Sequence, residues 1–471
     1  MSMMSLTFLT AFLPAVFLLY WAFRKQISVQ NCILMIGSLV FYGWADWRTL
    51  MILIACIVIT YVGGLLYESS GSQTVLKVSL VLNFLILIYF KYTNFILATI
   101  GMAPLEIILP AGVSFYVFQS STYLFALLQG SGTVEHNPVN YALFVSFFPV
   151  IMSGPIQRSN TFLPRLKNQK HLSYEQFEKA ILLFLWGVFL KLVIADRLAL
   201  FTDPVFDAFE EYSGLMTLTG MVLYSFQIYA DFSGYSLMAM AVAQLFGYPL
   251  DENFRQPYLA LTIADFWRRW HISLTSWFRD YVYIPLGGSR QGRWRQYRNI
   301  MIVFLISGLW HGAAKRFIIW GALHALFQII GHISLPLRKT VTDFLHINRK
   351  HIIWKSIQRL NVFVLTTFAW VFFRAYSVSA AIGIFRCLVH FSIVFDLAST
   401  GMKSWDKNII LIALPLLACV SVLKENGFDS SMILKRTWSR WIVYLILMIS
   451  IVLYGMYGPG YSASNFIYEG F

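Results

Sequence analysis

The chain has 471 residues, of which 58% are hydrophobic and only 12% are charged. Soluble domains carry about 25% charged residues, so this composition excludes a water-soluble globule and predicts a protein embedded in a lipid bilayer. The net charge of +14 would suggest nucleic-acid binding in a soluble protein. Here the basic residues lie between apolar segments, so they are attributed to cytoplasmic loops and no nucleic-acid partner is expected.

Apolar segments recur along the chain at lengths close to the roughly 20 residues that a spanning helix needs. Several are short or interrupted by Gly and Pro, as at Pro110–Gly112. Broken helices are tolerated at membrane depth only where they are buried in protein or line a wet cavity. We therefore predict an all-α polytopic membrane protein, one domain over residues 1–471, with about ten to thirteen crossings and some re-entrant or interfacial helices. The candidate segments are 5–23, 29–45, 49–67, 75–90, 112–130, 139–157, 178–200, 215–247, 299–312, 316–335, 360–376, 379–396, 408–423 and 440–457.

The charges beside these segments predict the topology. Arg24 and Lys25 follow the first segment, which has no basic region before it; this is typical of a retained span with its N-terminus outside. The basic stretches 338–359 and 435–440 can lie on the same side of the membrane only if one of the candidate segments between them does not cross it fully. A segment such as 379–396 would then be re-entrant or interfacial. Basic stretches that predict cytoplasmic loops lie at 158–171, 251–300, 338–359 and 435–440.

The four cysteines all lie in apolar runs and show no short paired spacing. They are interpreted as small core residues rather than a disulfide framework. No cluster of His, Cys or carboxylate residues has the spacing of metal ligands, so no metal site is expected. The cysteines are Cys32, Cys56, Cys387 and Cys419.

The segment 250–288 differs from a plain spanning helix. Its apolar residues recur at helical spacing, but Arg268, Arg269 and Arg279 interrupt them at positions that lipid would not accept. An amphipathic helix at the inner headgroup layer explains both features. His271 lies inside this helix, and on the residues alone an interfacial histidine satisfied by headgroups and water is the favoured interpretation.

His311 is a stronger candidate for chemistry, because it lies at the end of an apolar run in LISGLWHGAA. Ionisable residues at membrane depth are costly and tend to face a functional cavity, although a structural histidine bonded to a backbone carbonyl is the alternative. A neutral imidazole can take the hydroxyl proton when an alcohol attacks a thioester. No nucleophile motif such as G-x-S-x-G lies nearby, so direct transfer with histidine as general base is favoured over a covalent serine mechanism.

Five sequence blocks, in order, resemble the membrane-bound O-acyltransferase (MBOAT) family. They are FFPVIMSGPIQRSNTFLPRL, QIYADFSGYS, DFWRRWHISLTSWFRDYVYIPLGG, GLWHGA and the closing GPGYSASNFIYEGF. Within that family the chain is most similar to the branch that contains the alginate O-acetylation membrane protein, with relatives in peptidoglycan and cellulose acetylation and in teichoic-acid D-alanylation. The resemblance extends over essentially the whole chain.

The resemblance implies a helical core around a central tunnel and assigns roles to individual residues. His311 matches the presumed catalytic base, and His271 matches a supporting polar residue near the same tunnel. Basic residues of the 255–298 stretch would form the donor side, where anionic CoA or a carrier phosphopantetheine could dock, although retained positive charge explains them equally well. Further candidates for the tunnel are Trp310, Trp267, Trp270, Asp231, Ser233 and His324, and for the donor side Arg268, Arg269 and Arg279.

Two departures from the family pattern bear on these assignments. Leu237 stands where relatives usually carry an acidic residue, which weakens the case for Asp231 and Ser233 as tunnel residues. Lys315 and Arg316 stand where relatives usually carry a polar and an aromatic residue, so contacts to donor or acceptor could differ.

The resemblance therefore implies an O-acyltransferase of the bacterial inner membrane. It would move an acyl group, acetyl by resemblance, from a cytosolic thioester towards an exported polysaccharide or a periplasmic SGNH-type (esterase-like) acetyltransferase partner. Acetyl-CoA or an acyl-carrier thioester would be the donor, with no bound cofactor. The alternatives are D-alanyl transfer from a carrier protein, and a transporter or flippase without bond chemistry. A weaker hypothesis is a scaffold protein that recruits soluble periplasmic acetyltransferases and has lost its own activity.

Overall fold

A computed structural model describes residues 1–44, 46–429 and 435–458, and these residues form helices and connecting loops without a strand. The prediction of an all-α polytopic membrane protein is confirmed. Six helices of the described part are long and apolar enough to cross a membrane, and four shorter apolar helices accompany them. Most of the closing GPGYSASNFIYEGF block, residues 459–471, lies outside the described residues.

The described chain divides into two compact units. The first contains residues 1–187 and 235–251, and the second contains residues 188–234 and continues from residue 252. The helix 214–245 therefore contributes its first part to the second unit and its last part to the first. The prediction of a single domain over 1–471 stays a prediction.

The first unit is built on helices whose interior is packed with aromatic rings. Phe8, Phe41 and Phe148 are fully buried and lie with ring centroids 5.5–6.2 Å apart. Aromatic rings bury much apolar area each, and edge-to-face pairs add about 0.5–1.5 kcal/mol beyond that area. The helices are α1 (Leu13–Ala22), α2 (Ile27–Gly43), α3 (Trp47–Ser70), α4 (Gln73–Thr99), α5 (Val113–Leu128), α6 (Pro138–Ser146), α7 (Ser159–Leu166) and α8 (Tyr174–Val188, whose last residue belongs to the second unit).

Residues 245–249 belong to the first unit, and their backbone carbonyls accept hydrogen bonds from side chains of α1. The Tyr20 hydroxyl donates to the carbonyl of Phe246 at 3.0 Å, and the Trp21 indole donates to the carbonyl of Leu245 at 3.1 Å. A buried donor without a partner costs about 1–3 kcal/mol, so these bonds tie the beginning of the chain to a segment more than 220 residues later.

The second unit carries the predicted functional blocks. A π-helical segment, Phe189–Ala195, joins α8 to the next helix. The helix α17 (Val378–Val389) of this unit has 12 residues and rises only about 18 Å, so it is too short to cross a bilayer. This agrees with the expectation of a re-entrant or interfacial element near 379–396. The helices are α9 (Asp196–Asp207), α10 (Gly214–Leu245), α11 (Ile263–Arg269), α12 (Ile272–Phe278), α13 (Arg293–His311), α14 (Lys315–Ile333), α15 (Leu335–Phe344), α16 (Ile352–Arg374), α17 (Val378–Val389), α18 (Ser404–Glu425) and α19 (Thr437–Tyr454).

Two glycines let α13 and α14 pack with their backbones almost in contact. A Cβ atom at Gly308 of α13 would overlap the carbonyl oxygen of Phe317, and one at Gly321 of α14 would overlap the carbonyl oxygen of Phe304. Small residues at helix crossings permit this close approach in membranes, where van der Waals packing drives association. The two helices form an antiparallel pair that holds His311 and His324.

We expect Gly321→Ala to lower the stability of the protein, because the added methyl group meets backbone that cannot move aside. Overpacking of this kind costs about 1–3 kcal/mol, so the midpoint of thermal unfolding in detergent should fall by several degrees. Gly331→Ala is the matched control, since it lies on the same helix with no atom within 4 Å of the new Cβ. Equal midpoints for the two variants would contradict the packing role of Gly321.

The predicted amphipathic helix in 250–288 is broken in the middle, which corrects the expectation of one continuous helix. α11 ends at Arg269, Trp270 is extended, and His271 adopts a left-handed conformation with φ of 43° before α12 begins. Histidine is among the non-glycine residues that reach this region more often, yet such backbone still costs about 1–3 kcal/mol and clusters at functional sites. The break turns the His271 side chain into the interior, where the residue is only 1% exposed.

Candidate active site

Three histidines of the second unit are buried in one cluster. His271 lies between α11 and α12, His311 ends α13, and His324 lies within α14. Their exposed fractions are 1%, 2% and 0%. The structure therefore brings together the two histidines that the sequence predicted as catalytic and His324, which it predicted as a tunnel residue.

Aromatic rings connect the three imidazoles. The Trp310 ring lies between two of them, with its centroid 6.0 Å from that of His271 and 4.9 Å from that of His311. The Trp320 ring lies 4.8 Å from His311 and 5.0 Å from His324, both edge to face. The histidines thus lie in a densely aromatic interior, where electrostatic interactions are stronger than in water.

His271 is positioned by a polar contact on the other side of its ring. Its Nδ1 lies 3.1 Å from the side-chain oxygen of Asn253, which also accepts bonds from the amide and hydroxyl of Ser273. Burial lowers the pKa of His271, which lies outside the six candidate spans, to about 3. The imidazole is therefore neutral at cellular pH and can accept or relay a proton.

A hydrogen bond to one ring nitrogen of His324 indicates which tautomer the imidazole adopts. The Trp267 indole N–H donates to Nδ1 of His324 at 3.3 Å. Since Nδ1 accepts, the neutral ring carries its proton on Nε2, and that nitrogen has no hydrogen-bond partner among the described residues. This places a buried N–H donor within the histidine cluster.

A cavity of about 430 Å³ reaches the edge of this cluster. Trp267 forms part of its wall, and the same ring contacts Trp320, which in turn contacts His311. Arg268 and Arg279 also line it, so two of the three predicted donor-side arginines reach one cavity. Its remaining lining is mostly apolar or neutral and comes from α11 to α14, with Gln296 and His332 at one side. The cavity therefore combines two cations with a mostly apolar wall.

The third donor-side candidate, Arg269, lies elsewhere. Its guanidinium pairs with Asp265 at 3.1 Å and with Glu425 of α18 at 2.7 Å. Successive residues of a helix point about 100° apart, so Arg268 faces the cavity while Arg269 faces α18. Trp270, a tunnel candidate, is fully buried and its ring lies 4.9 Å from that of Trp370.

Asp231 takes part in a buried ion cluster rather than in the histidine cluster. Its carboxylate and that of Asp196 each lie 2.7 Å from the Lys191 ammonium, and all three side chains are almost completely buried. The next residue, Phe232, contacts His271 with a ring separation of 4.6 Å, so α10 places its charge on one side and an aromatic ring on the side of the histidine. Ser233 is buried on the same helix.

The unusual cations after the GLWHGA block have a structural explanation in the case of Arg316. Its guanidinium donates to the carbonyl of Phe373 at the end of α16 and lies over the Phe317 ring. The Phe373 ring lies 5.3 Å from that of His311. Arg316 therefore supports a wall of the histidine pocket, while Lys315 is exposed. Nothing in the structure explains Leu237.

Sequence reasoning did not identify several residues that build the site. Lys191 had a detectable signal, because a lysine inside the apolar run LFLWGVFLKLVIAD is costly unless it is paired. No such signal marked Asn253, Trp320 or Phe373. An Asn in a polar loop and aromatic residues in apolar helices are common in any protein.

Comparison with known proteins identifies the family of this chain. The family model described as MBOAT, membrane-bound O-acyltransferase family, matches residues 32–373. The chain belongs to this family. The match includes all three histidines, the cavity and the buried ion cluster, and it confirms the prediction of an O-acyltransferase.

Curated relatives carry names from both acetylation and D-alanylation. A Pseudomonas syringae protein named "Probable alginate O-acetylase AlgI" is 36% identical over 391 residues, which cover 79% of this chain and 72% of that protein. A Helicobacter pylori peptidoglycan O-acetyltransferase is 35% identical over 423 residues, covering 81% and 78%. A Bacillus subtilis teichoic acid D-alanyltransferase is 31% identical over 237 residues, covering 48% and 59%.

Proposed function

We propose that this MBOAT member transfers an acetyl group from a cytosolic thioester towards an exported hydroxyl acceptor, with His311 as the general base. The observation that carries the proposal is the buried cluster of His311, Trp310 and His271. The rings of Trp320 and Trp267 connect this cluster to a cavity lined by two arginines. The names of the relatives that cover most of the chain favour acetyl over D-alanyl.

The cavity beside Trp267 is proposed to hold the thioester arm of the donor. Arg268 forms no ion pair among the described residues, and Arg279 pairs with Asp280 at the surface at 2.8 Å. Guanidinium groups bind phosphate oxygens in bidentate geometry, so these residues suit the phosphates of acetyl-CoA or of a carrier phosphopantetheine. The apolar wall between α12 and α13 suits the arm that follows.

In the proposed step the acceptor hydroxyl oxygen attacks the carbonyl carbon of the thioester while the His311 imidazole takes the hydroxyl proton. The new C–O bond forms, the C–S bond breaks, and the proton passes from the imidazolium to the leaving thiolate. The products are an O-acyl ester and a free thiol. General base catalysis of this kind contributes about 10²–10⁴-fold to the rate. His271, held by Asn253, acts as the positioning residue on the far side of Trp310.

The acceptor is proposed to be a hydroxyl of an exported polysaccharide or of a periplasmic SGNH-type partner that modifies the glycan. This assignment is supported by the names of the relatives and by the multi-pass helical structure. It includes a location in the inner membrane with the N-terminus outside. D-alanyl transfer from a carrier protein is the second candidate, because part of the chain matches a teichoic acid D-alanyltransferase.

The proposal is tested with purified protein in lipid vesicles and radiolabelled acetyl-CoA. Release of free CoA together with labelled acceptor or water-soluble acetate supports acetyl transfer from CoA. A parallel reaction with a D-alanyl carrier thioester tests the second candidate. A protein that binds and moves a labelled glycan across the vesicle membrane without cleaving either thioester would contradict the enzyme assignment for this chain.

The cavity assignment predicts a defect in donor binding when its cations are removed. The double variant Arg268→Gln and Arg279→Gln should raise KM for acetyl-CoA on the order of tenfold, because both guanidinium groups are exposed, exposed ion pairs are worth about 0.2–1 kcal/mol each, and a tenfold change corresponds to about 1.4 kcal/mol. kcat should change little, since neither side chain reaches His311. Arg290→Gln with Arg295→Gln is the control, because both side chains are exposed and lie outside the cavity lining. An equal rise in KM for the control would indicate general surface attraction instead.

A further inference from the structure

A second cavity, of about 920 Å³, lies between the start of α13 and the end of α14. It is separate from the histidine cluster but adjoins the smaller cavity, since Gln296 and His332 line both. One part of its lining is cationic, with Arg293 and Arg298, and the other part is apolar, with Met301 and Ile329.

The cationic part contains a guanidinium that is held in place. Arg298 donates from Nε and Nη2 to the side-chain oxygen of Asn299, at 3.2 and 3.0 Å. Asn299 is fully buried and is itself anchored, because its amide donates to the carbonyls of Leu286 and Gly288. No Asp or Glu lines the cavity, and neither Arg293 nor Arg298 forms an ion pair within the described part of the chain. The cavity therefore presents uncompensated positive charge to an anion.

The residues around the cavity are of the kinds that the headgroup layer of a membrane favours. α14 is one of the six candidate spans, and the cavity lies at its last turn. Trp294 is 87% exposed at the rim, and Tyr297 lines the wall; amphipathic aromatic residues prefer this layer. Ile333 of the same rim is exposed as well, as expected of a surface in contact with lipid chains.

We propose that this cavity binds an anionic phospholipid, with the phosphate between Arg293 and Arg298 and an acyl chain along Met301 and Ile329. Basic pockets between membrane helices on the cytoplasmic side bind such headgroups. The charge of the cavity selects an anion, and its apolar half excludes a free phosphate as the complete ligand. A soluble phosphate would leave the apolar lining uncovered and exposed to water.

The test compares the protein in nanodiscs of phosphatidylcholine alone with nanodiscs that contain added phosphatidylglycerol, and counts bound phosphatidylglycerol by native mass spectrometry. We expect preferential binding of phosphatidylglycerol and a higher midpoint of thermal unfolding in its presence. The double variant Arg293→Gln and Arg298→Gln should lose affinity for phosphatidylglycerol on the order of tenfold, because basic residues near the headgroups attract anionic lipid. The measurement needs no acyl donor, so it is independent of the proposed acetyl transfer.

The control variant Arg290→Gln with Arg295→Gln removes the same charge from the same stretch, but neither residue lines the cavity. It should retain the phosphatidylglycerol effect. An equal loss in the control would overturn the proposal in favour of a general attraction between the basic surface and the bilayer. An equal thermal shift from inorganic phosphate at matched ionic strength would overturn the lipid as the ligand, and unchanged binding in the cavity variant would overturn the site.

Discussion

Replacing His311 by glutamine is expected to reduce acyl transfer by about 10²–10⁴-fold, the usual contribution of a general base. Glutamine keeps a polar side chain of similar size between Trp310 and Phe373, so the packing around residue 311 should be largely retained. kcat should fall while KM for the donor changes little, because the cavity wall at Trp267 is separated from His311 by the Trp320 ring. The measurement is the initial rate of acetyl transfer from radiolabelled acetyl-CoA in vesicles.

The control for this experiment is His390→Gln, which makes the same substitution at an exposed position after α17. Both variants should insert and should unfold within a few degrees of the unchanged protein. A rate for His311→Gln within threefold of the control, at the same donor concentration, would contradict the role of His311 as base. A large fall in the unfolding midpoint of His311→Gln alone would assign the residue to packing.

Lys191→Met is expected to be the most destabilising single change in the second unit. It removes the ammonium that lies 2.7 Å from both Asp196 and Asp231 and leaves two buried carboxylates without the cation between them. Breaking a buried ion pair by removing one partner costs about 3–5 kcal/mol. That is a large fraction of the stability of a typical protein, about 5–15 kcal/mol. The expected result is poor recovery of folded protein and a markedly lower midpoint of thermal unfolding.

A variant that removes all three charges distinguishes the effect of uncompensated charge from that of the lost hydrogen bonds. Lys191→Met combined with Asp196→Asn and Asp231→Asn removes all three charges, so it should recover part of the lost stability, since uncharged replacements of buried ion pairs are often neutral. Lys407→Met, at an exposed position of α18, is the control for loss of a lysine and should leave the midpoint unchanged. A triple variant less stable than Lys191→Met itself would show that the individual hydrogen bonds, not the uncompensated charge, dominate.

The fold class and the burial of His311 could be predicted because their signals are local. Too few charges for a soluble surface and repeated apolar segments require a membrane protein, and a histidine at the end of the apolar run before Gly312 stands out by its cost in lipid. The location of His271 could not be predicted in the same way. The apolar periodicity continues through Trp270, and no glycine marks the left-handed residue that breaks the helix.

The residues that line the cavity were only partly predictable, because two adjacent arginines point to different parts of the structure. Arg268 lines it, whereas Arg269 pairs with Asp265 and with Glu425, a residue 156 positions later. Which of two neighbours faces inward depends on the rotation of α11, and that rotation is set by the burial of Phe266 and Trp270. The pairing of Lys191 with Asp231 depends similarly on two helices that are distant in sequence, although the lysine itself was conspicuous.

The hydrogen bonds from α1 to the segment 245–249 constrain the order in which the protein can mature. Chains are synthesised from the N-terminus at about 5–20 residues per second, so Tyr20 and Trp21 emerge about 10–45 s before their acceptors at Phe246 and Leu245 exist. During that interval the end of α1 must remain hydrated or held by an insertion factor, because an unpaired donor is costly in lipid. Ribosome-bound intermediates that end before residue 245 should therefore crosslink to the insertion machinery through α1, and longer ones should be released from it.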